Sequence, residues 1–186
     1  MYDALRENLS YFELYKRMFK VKKVLDSEKI PFGNDKEQYF LYYEPLNVDS
    51  EKVIVWVHGG GGNAGSPDFF DFVGQCIAQE GYRFVSLGYR LSPKNKYPCQ
   101  IEDVCRGYCE TIDFLNEKGI DTSKMIVSGS SAGAHLSSIL CYSQRWQKEL
   151  NVKYHWFYRC WWPIQFFGKY VFVSKIIIES IIRERI

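Results

Sequence analysis

Apolar side chains recur at helical spacing over residues 2–22, at Leu5, Leu9, Phe12, Leu14, Met18 and Phe19, and predict a helix. The period then changes. QYFLYYEPL (38–46) reads as a strand that Pro45 ends. KVIVWVHGG (52–60) carries a short continuous apolar run, the pattern of a strand buried on both faces. Residues 67–80 read as a helix, with Pro67 near its start and Gly81 just past its end. RFVSLGYR (83–90) is the next strand, and CQIEDVCRGYCETIDFLNEKG (99–119) is a long amphipathic helix closed by Gly119. KMIVSGSS (124–131) is another buried strand, and AGAHLSSILCYSQRW (132–146) continues from it as a helix. Strands and helices therefore alternate, which predicts an α/β fold with a mostly parallel sheet, helices on both faces and right-handed crossovers. In such sheets chemistry gathers at the carboxyl ends of the strands.

The chain has 186 residues, enough for one domain with a sizeable core. Its formal charge of +2 is nearly balanced. The nearest approach to a basic block is KVKK at 20–23, a solvated stretch, so no nucleic-acid surface is expected. The first residues carry charges throughout and lack an apolar core segment, which argues against a signal peptide. The longest uncharged run near the C-terminus is nine residues, Cys160 to Gly168, whereas a membrane-spanning helix needs roughly 20. No membrane partner and a cytoplasmic location are the expectations. The six cysteines, at 76, 99, 105, 109, 141 and 160, do not have zinc-site spacing. They read as small apolar residues in a reducing compartment, with no metal and no cofactor expected.

Two glycine-rich motifs fall at strand ends. Gly129-Ser130-Ser131-Ala132-Gly133 is a G-x-S-x-G sequence between a strand and a helix. That context fits a tight turn that pushes the Ser131 hydroxyl outward. The helix N-terminus beneath it offers free N–H groups to developing negative charge. The alternative is a glycine-rich turn with idle serines. His58-Gly59-Gly60-Gly61-Gly62 follows a buried strand. Attack on an ester carbonyl creates an oxyanion, and each backbone donor aimed at it is worth about 3–4 kcal/mol. Glycine lets the backbone approach that closely. A phosphate cradle fits less well, because no lysine and threonine follow.

Together with GYRLSPKNKYP at 88–98, these motifs (HGGGG at 58–62 and GSSAGAHL at 129–136) resemble the α/β-hydrolase superfamily. The resemblance is closest to hormone-sensitive-lipase-like carboxylesterases and formamidase-like esterases, and covers roughly residues 30–145. It implies a serine ester hydrolase with Ser131 as nucleophile and the N–H groups of Gly60, Gly61 and Ala132 as the oxyanion hole. It implies a small-molecule ester substrate, cleaved through an acyl-enzyme at Ser131. His58 then matches a loop anchor, and His135, four residues past the nucleophile, a core or supporting histidine. Asp68, Asp71 and Asp103 carry no mark of a triad acid, and Asp103 reads as structural.

The resemblance implies further a triad in the order Ser, Asp or Glu, His. After Ser131 the remaining histidines are His135 and His155, and Glu179 and Glu184 follow both. The family's sheet has eight strands; about five are accounted for by residue 131, and three more need about 90 residues. Only 40 follow residue 146. The expected architecture is thus a truncated α/β-hydrolase, with residues 1–146 as the N-terminal part of the domain and 147–186 as an irregular, aromatic-rich tail. On this reading the chain lacks the triad acid and histidine and is inactive. The alternatives are a non-catalytic fragment and one half of a split hydrolase. An open sheet edge beside the serine strand makes self-association the expected hazard.

The tail bunches ten aromatic residues between 154 and 172. Read one nucleotide later, every tryptophan codon becomes a glycine codon, so Trp156, Trp161 and Trp162 would all be glycine. With permitted codons KYHWFYRCWWPIQF then reads NITGFIGVGGPYSF, similar to the family's next strand and loop. A frame shift near residues 145–154 is the expectation; a genuine short protein with an aromatic tail is the alternative.

Overall fold

The computed structural model describes residues 21–152. The tail from 153 onward and the helix expected over 2–22 lie outside the described residues, except positions 21 and 22, which are not helical.

Five strands form one sheet: β1 (Glu28–Pro31), β2 (Tyr39–Tyr43), β3 (Val53–Val57), β4 (Arg83–Leu87) and β5 (Met125–Gly129), in the order β1-β2-β4-β3-β5. β4, β3 and β5 are mutually parallel, whereas β2 is antiparallel to β4 and β1 to β2. Four of the five strands thus point the same way. β1 was not expected, because EKIP has no alternation of apolar residues. It is a mostly exposed edge strand, held by its ladder to β2 rather than by burial.

The parallel core follows from the apolar runs. Every residue of β3 is buried. Val53, Val55 and Val57 enter one cluster, and Ile54 and Trp56 enter the other, as the strand period of two requires. Each such side chain contributes roughly 1.5–3 kcal/mol by leaving water. α2 (Cys99–Glu117) and α3 (Ala132–Tyr142) cover the valine face through Ile101, Val104, Tyr108, Leu115, Leu136 and Leu140. α1 (Asp71–Gln79) covers the other face through Val73, Ile77 and Ala78. The helices therefore lie on both faces, as the alternation predicts.

α1 begins at Asp71 rather than 67, because residues 67–70 are turns, with Ser66 Oγ accepting from Phe69 N at 3.1 Å. The helix expected over 132–146 is two helices. Ser143 is extended (φ −86°, ψ 98°), and α4 (Gln144–Glu149) starts after it. Gln147 Nε2 donates to the carbonyls of Leu140 and Cys141 at 3.0 and 2.9 Å, satisfying the end of α3. The break lets Trp146 turn into the core, a tertiary gain that local periodicity does not reveal.

Register places the site. Val57 stands opposite both Leu87 and Gly129. The three parallel strands therefore end at one level, and His58, Gly88 and Ser130 each begin a loop there. Among the described residues β5 pairs with β3 alone and so forms one edge of the sheet. No described helix is long and apolar enough to cross a membrane.

Candidate active site

Ser131 sits at the sharp turn from β5 into α3, with φ 50° and ψ −117°. A serine held in that region costs about 1–3 kcal/mol, and such strain persists only where surrounding structure imposes it. The imposing contacts are the flanking glycines. A Cβ on Gly129 would stand 2.6 Å from the Gly133 carbonyl carbon and 2.7 Å from Val57 O. One on Gly133 would stand 2.0 Å from Val57 O and 2.4 Å from His58 O. The start of α3 thus lies directly on the end of β3. Ser131 itself is exposed, and its side chain caps no helix N–H.

The glycine turn lies against this elbow. Ser130 N donates to Val57 O at 3.2 Å, and a Cβ on Gly59 would meet Ser130 O at 2.8 Å. Gly60, Gly61 and Gly62 have φ of 118°, 64° and 76°, a left-handed run that side chains disfavour. Among the described residues, none of the backbone hydrogen bonds in loops or caps has the N–H of Gly60, Gly61 or Ala132 as its donor. The two motifs singled out by the sequence therefore share one end of the sheet.

His58 is buried and stacked on Tyr89, with ring centroids 4.3 Å apart and planes 10° apart. Its Nδ1–H donates to Gly59 O at 2.8 Å, and its own carbonyl accepts Tyr89 OH at 3.0 Å. Burial pushes its pKa down to about 4, against a smaller opposing effect of the Gly59 hydrogen bond. It is a neutral anchor for the loop, as expected. Of the two alternatives for His135, the core one fails: it is exposed on α3, because its position on the helix faces away from the sheet. Its N–H donates to Ser131 O at 3.1 Å.

Asp103 is buried and fully occupied. It accepts from Arg90 N, Nε and Nη2, each at 2.8 Å, and from Gln38 Nε2 at 2.7 Å. Asp71 accepts Tyr43 OH at 2.7 Å, and Asp68 accepts Tyr39 OH and Lys29 Nζ. Each of the three carboxylates serves packing between elements. Among the described residues no cluster of histidine, cysteine and carboxylate side chains suits a metal ion. Of the cysteines among the described residues, Cys105 is fully buried, while 76, 99, 109 and 141 are partly buried. Sequence reasoning missed Ser92, whose N–H and hydroxyl both donate to Gly62 O. It lies inside the GYRLSPKNKYP motif, but no spacing signals the contact.

The fold is a three-layer α/β sheet with a strand–serine–helix elbow beside a glycine turn. A sequence profile of the alpha/beta hydrolase fold family matches residues 54–165, more than half of the chain. The chain belongs to that family. Carboxylesterase NlhH of Mycobacterium tuberculosis is 34% identical over 101 residues, 54% of this chain and 32% of that protein. Ethyl acetate hydrolase of Pseudomonas putida is 32% identical over 99 residues, 53% of this chain and 31% of that protein. The crystal structure of esterase B from Lactobacillus rhamnosis superposes with a TM-score of 0.64 at 22% identity, covering 81% of this chain and 52% of that one; it shows the shared fold. The chain spans about a third of the length of these curated relatives. The family match runs on past residue 146 into the segment that contains Trp156, Trp161 and Trp162.

Proposed function

We propose that this chain carries the nucleophile and oxyanion half of a serine carboxylic ester hydrolase. The observation that carries the reading is the strained, exposed Ser131, placed by backbone contact against a turn of left-handed glycines. Ser131 Oγ attacks the carbonyl carbon of a small ester and gives up its proton to a base. The carbonyl π electrons move onto oxygen, and the N–H groups of Gly60, Gly61 and Ala132 receive that charge. Collapse expels the alcohol, which regains a proton, and leaves an ester on Ser131. Water then releases the acid.

The proton relay is the incomplete part. His58 is tied to Gly59 O and stacked on Tyr89. His135 stands on the helix one turn past Ser131, and among the described residues no carboxylate hydrogen-bonds to it. The two glutamates that follow His155 come in the reverse of the order the relay needs. A serine without a base stays a neutral, weak nucleophile. We therefore infer that the 186-residue chain alone turns over esters poorly, and that hydroxide can substitute as the base at alkaline pH.

A fluorophosphonate probe and a short-chain p-nitrophenyl ester test this in the full chain. The expected result is slow labelling of Ser131 that rises with pH, absent in Ser131→Ala, with little ester turnover. Fast turnover near neutral pH that Ser131→Ala abolishes would refute the incomplete relay. Absence of labelling even at alkaline pH would refute the assignment of Ser131 itself.

A further inference from the structure

The carbonyls of His58, Gly59, Gly60 and Gly62 in the glycine turn accept hydrogen bonds. His58 O accepts Tyr89 OH, and Gly59 O accepts the His58 ring, at 3.0 and 2.8 Å. Gly60 O accepts the N–H groups of Asn63 and Ala64 at 3.1 and 3.0 Å. Gly62 O accepts Ser92 N at 2.8 Å and Ser92 Oγ at 3.0 Å. The contacts to Gly59 and Gly60 are local to the turn. The Ser92 pair reaches across to the loop after β4, and two donors converge there on one oxygen.

That loop is itself firmly held. Arg90 is bound to buried Asp103 through its backbone and its guanidinium. Leu91 N donates to Glu37 Oε2 at 2.9 Å. Gln100 Nε2, from the first turn of α2, donates to the carbonyls of Arg90 and Asn95 at 3.1 and 2.8 Å. Ser92 therefore projects from a segment fixed on both α2 and the turn between β1 and β2.

Three successive glycines at positive φ have little steric preference of their own. The direction of their N–H groups is set by what holds the neighbouring carbonyls. We propose that Ser92 is a positioning residue for the glycine turn, its paired hydrogen bonds to Gly62 O transmitting the rigidity of the Arg90–Asp103–Gln100 anchor to the peptide planes of Gly60 and Gly61. The role rests on those two N–H groups being the oxyanion donors. It assigns to the 88–98 motif a purpose beyond packing, namely to orient donors that no side chain touches.

Hydrogen–deuterium exchange of the full chain, read on the peptide covering residues 58–66, tests the brace independently of catalysis. Loss of one neutral hydrogen bond in Ser92→Ala should speed exchange there by about fivefold. Ser92→Thr, which restores the hydroxyl, should return it to the native rate. Lys94→Ala removes the exposed pair to Asp35 on the same loop and should leave exchange unchanged. The rate of alkaline phosphonylation at Ser131 should fall about tenfold in Ser92→Ala, since misaimed oxyanion donors lose part of their effect, and should recover in Ser92→Thr. If the native chain is not labelled, the nucleophile assignment fails and exchange alone judges the brace. Native-like exchange in Ser92→Ala, or unchanged labelling of a chain that does label, overturns the proposal.

Discussion

Replacing Gly133 with alanine sets two effects against each other. Gly133 lies in the first turn of α3, and alanine is favoured over glycine inside a helix by up to about 1 kcal/mol. The added Cβ would stand 2.0 Å from Val57 O and 2.4 Å from His58 O. Both obstacles are backbone, so no side chain can swing away. A gap below 3.0 Å requires movement, so α3 and the end of β3 must separate by about 1 Å. Overpacking a tight contact costs typically 1–3 kcal/mol and more where backbone must shift. With about 3 kcal/mol lost and about 1 regained, the net is a loss of about 2 kcal/mol. Each kcal/mol moves the midpoint of a domain this size by roughly 4 °C, so thermal unfolding should fall by roughly 8 °C. The same shift would carry Ser131 away from the glycine turn, and an error of about 1 Å in such a site can cost about a hundredfold in rate. Circular dichroism melts of the native chain and Gly133→Ala, with parallel phosphonate labelling, measure both. A midpoint equal to or above the native value would mean that the elbow does not rest on β3 as described.

Asp103→Ala should destabilise the chain by about 3–5 kcal/mol, because it strands the Arg90 guanidinium beside a buried void; denaturant titration checks this, and a loss below about 1 kcal/mol would contradict the network. Ser131→Gly should raise stability by about 1 kcal/mol through relief of the positive φ while abolishing labelling; a lower midpoint would remove the case for strain. His58, with its pKa held at about 4 in the fold and near 6.5 unfolded, takes up a proton on unfolding between those values. Stability should therefore fall as pH drops through that window, by about 2 kcal/mol at pH 5, and His58→Asn should flatten the slope between pH 6.5 and 5. If the aromatic tail is a shifted reading, the next frame of the encoding nucleic acid stays open through the Trp162 codon; an early stop there rules the shift out.

Much of this architecture is visible in a linear reading. The apolar runs of β3 and β5 announce buried parallel strands because a strand covered on both faces has no polar side to display. G-x-S-x-G and HGGGG announce their turns because the backbone demands at those points admit few residues other than glycine. The strand β1 escapes such a reading, since an exposed edge strand is specified by the ladder of its neighbour and not by its own pattern. The break at Ser143 escapes it as well: AGAHLSSILCYSQRW is periodic throughout, and only the gain from turning Trp146 inward interrupts the helix.

The chain's local pattern marks the two glycine-rich turns, because strain and close approach are short-range demands written within a few residues, and the family resemblance of those motifs picks out Ser131, Gly60, Gly61 and Ala132 within them. Their meeting at one end of the sheet, the withdrawal of His58 into a stack with Tyr89, the exposure of His135 and the grip of Ser92 on Gly62 belong to the tertiary structure. Each depends on strand register and on contacts between residues far apart in the chain, which no local pattern encodes.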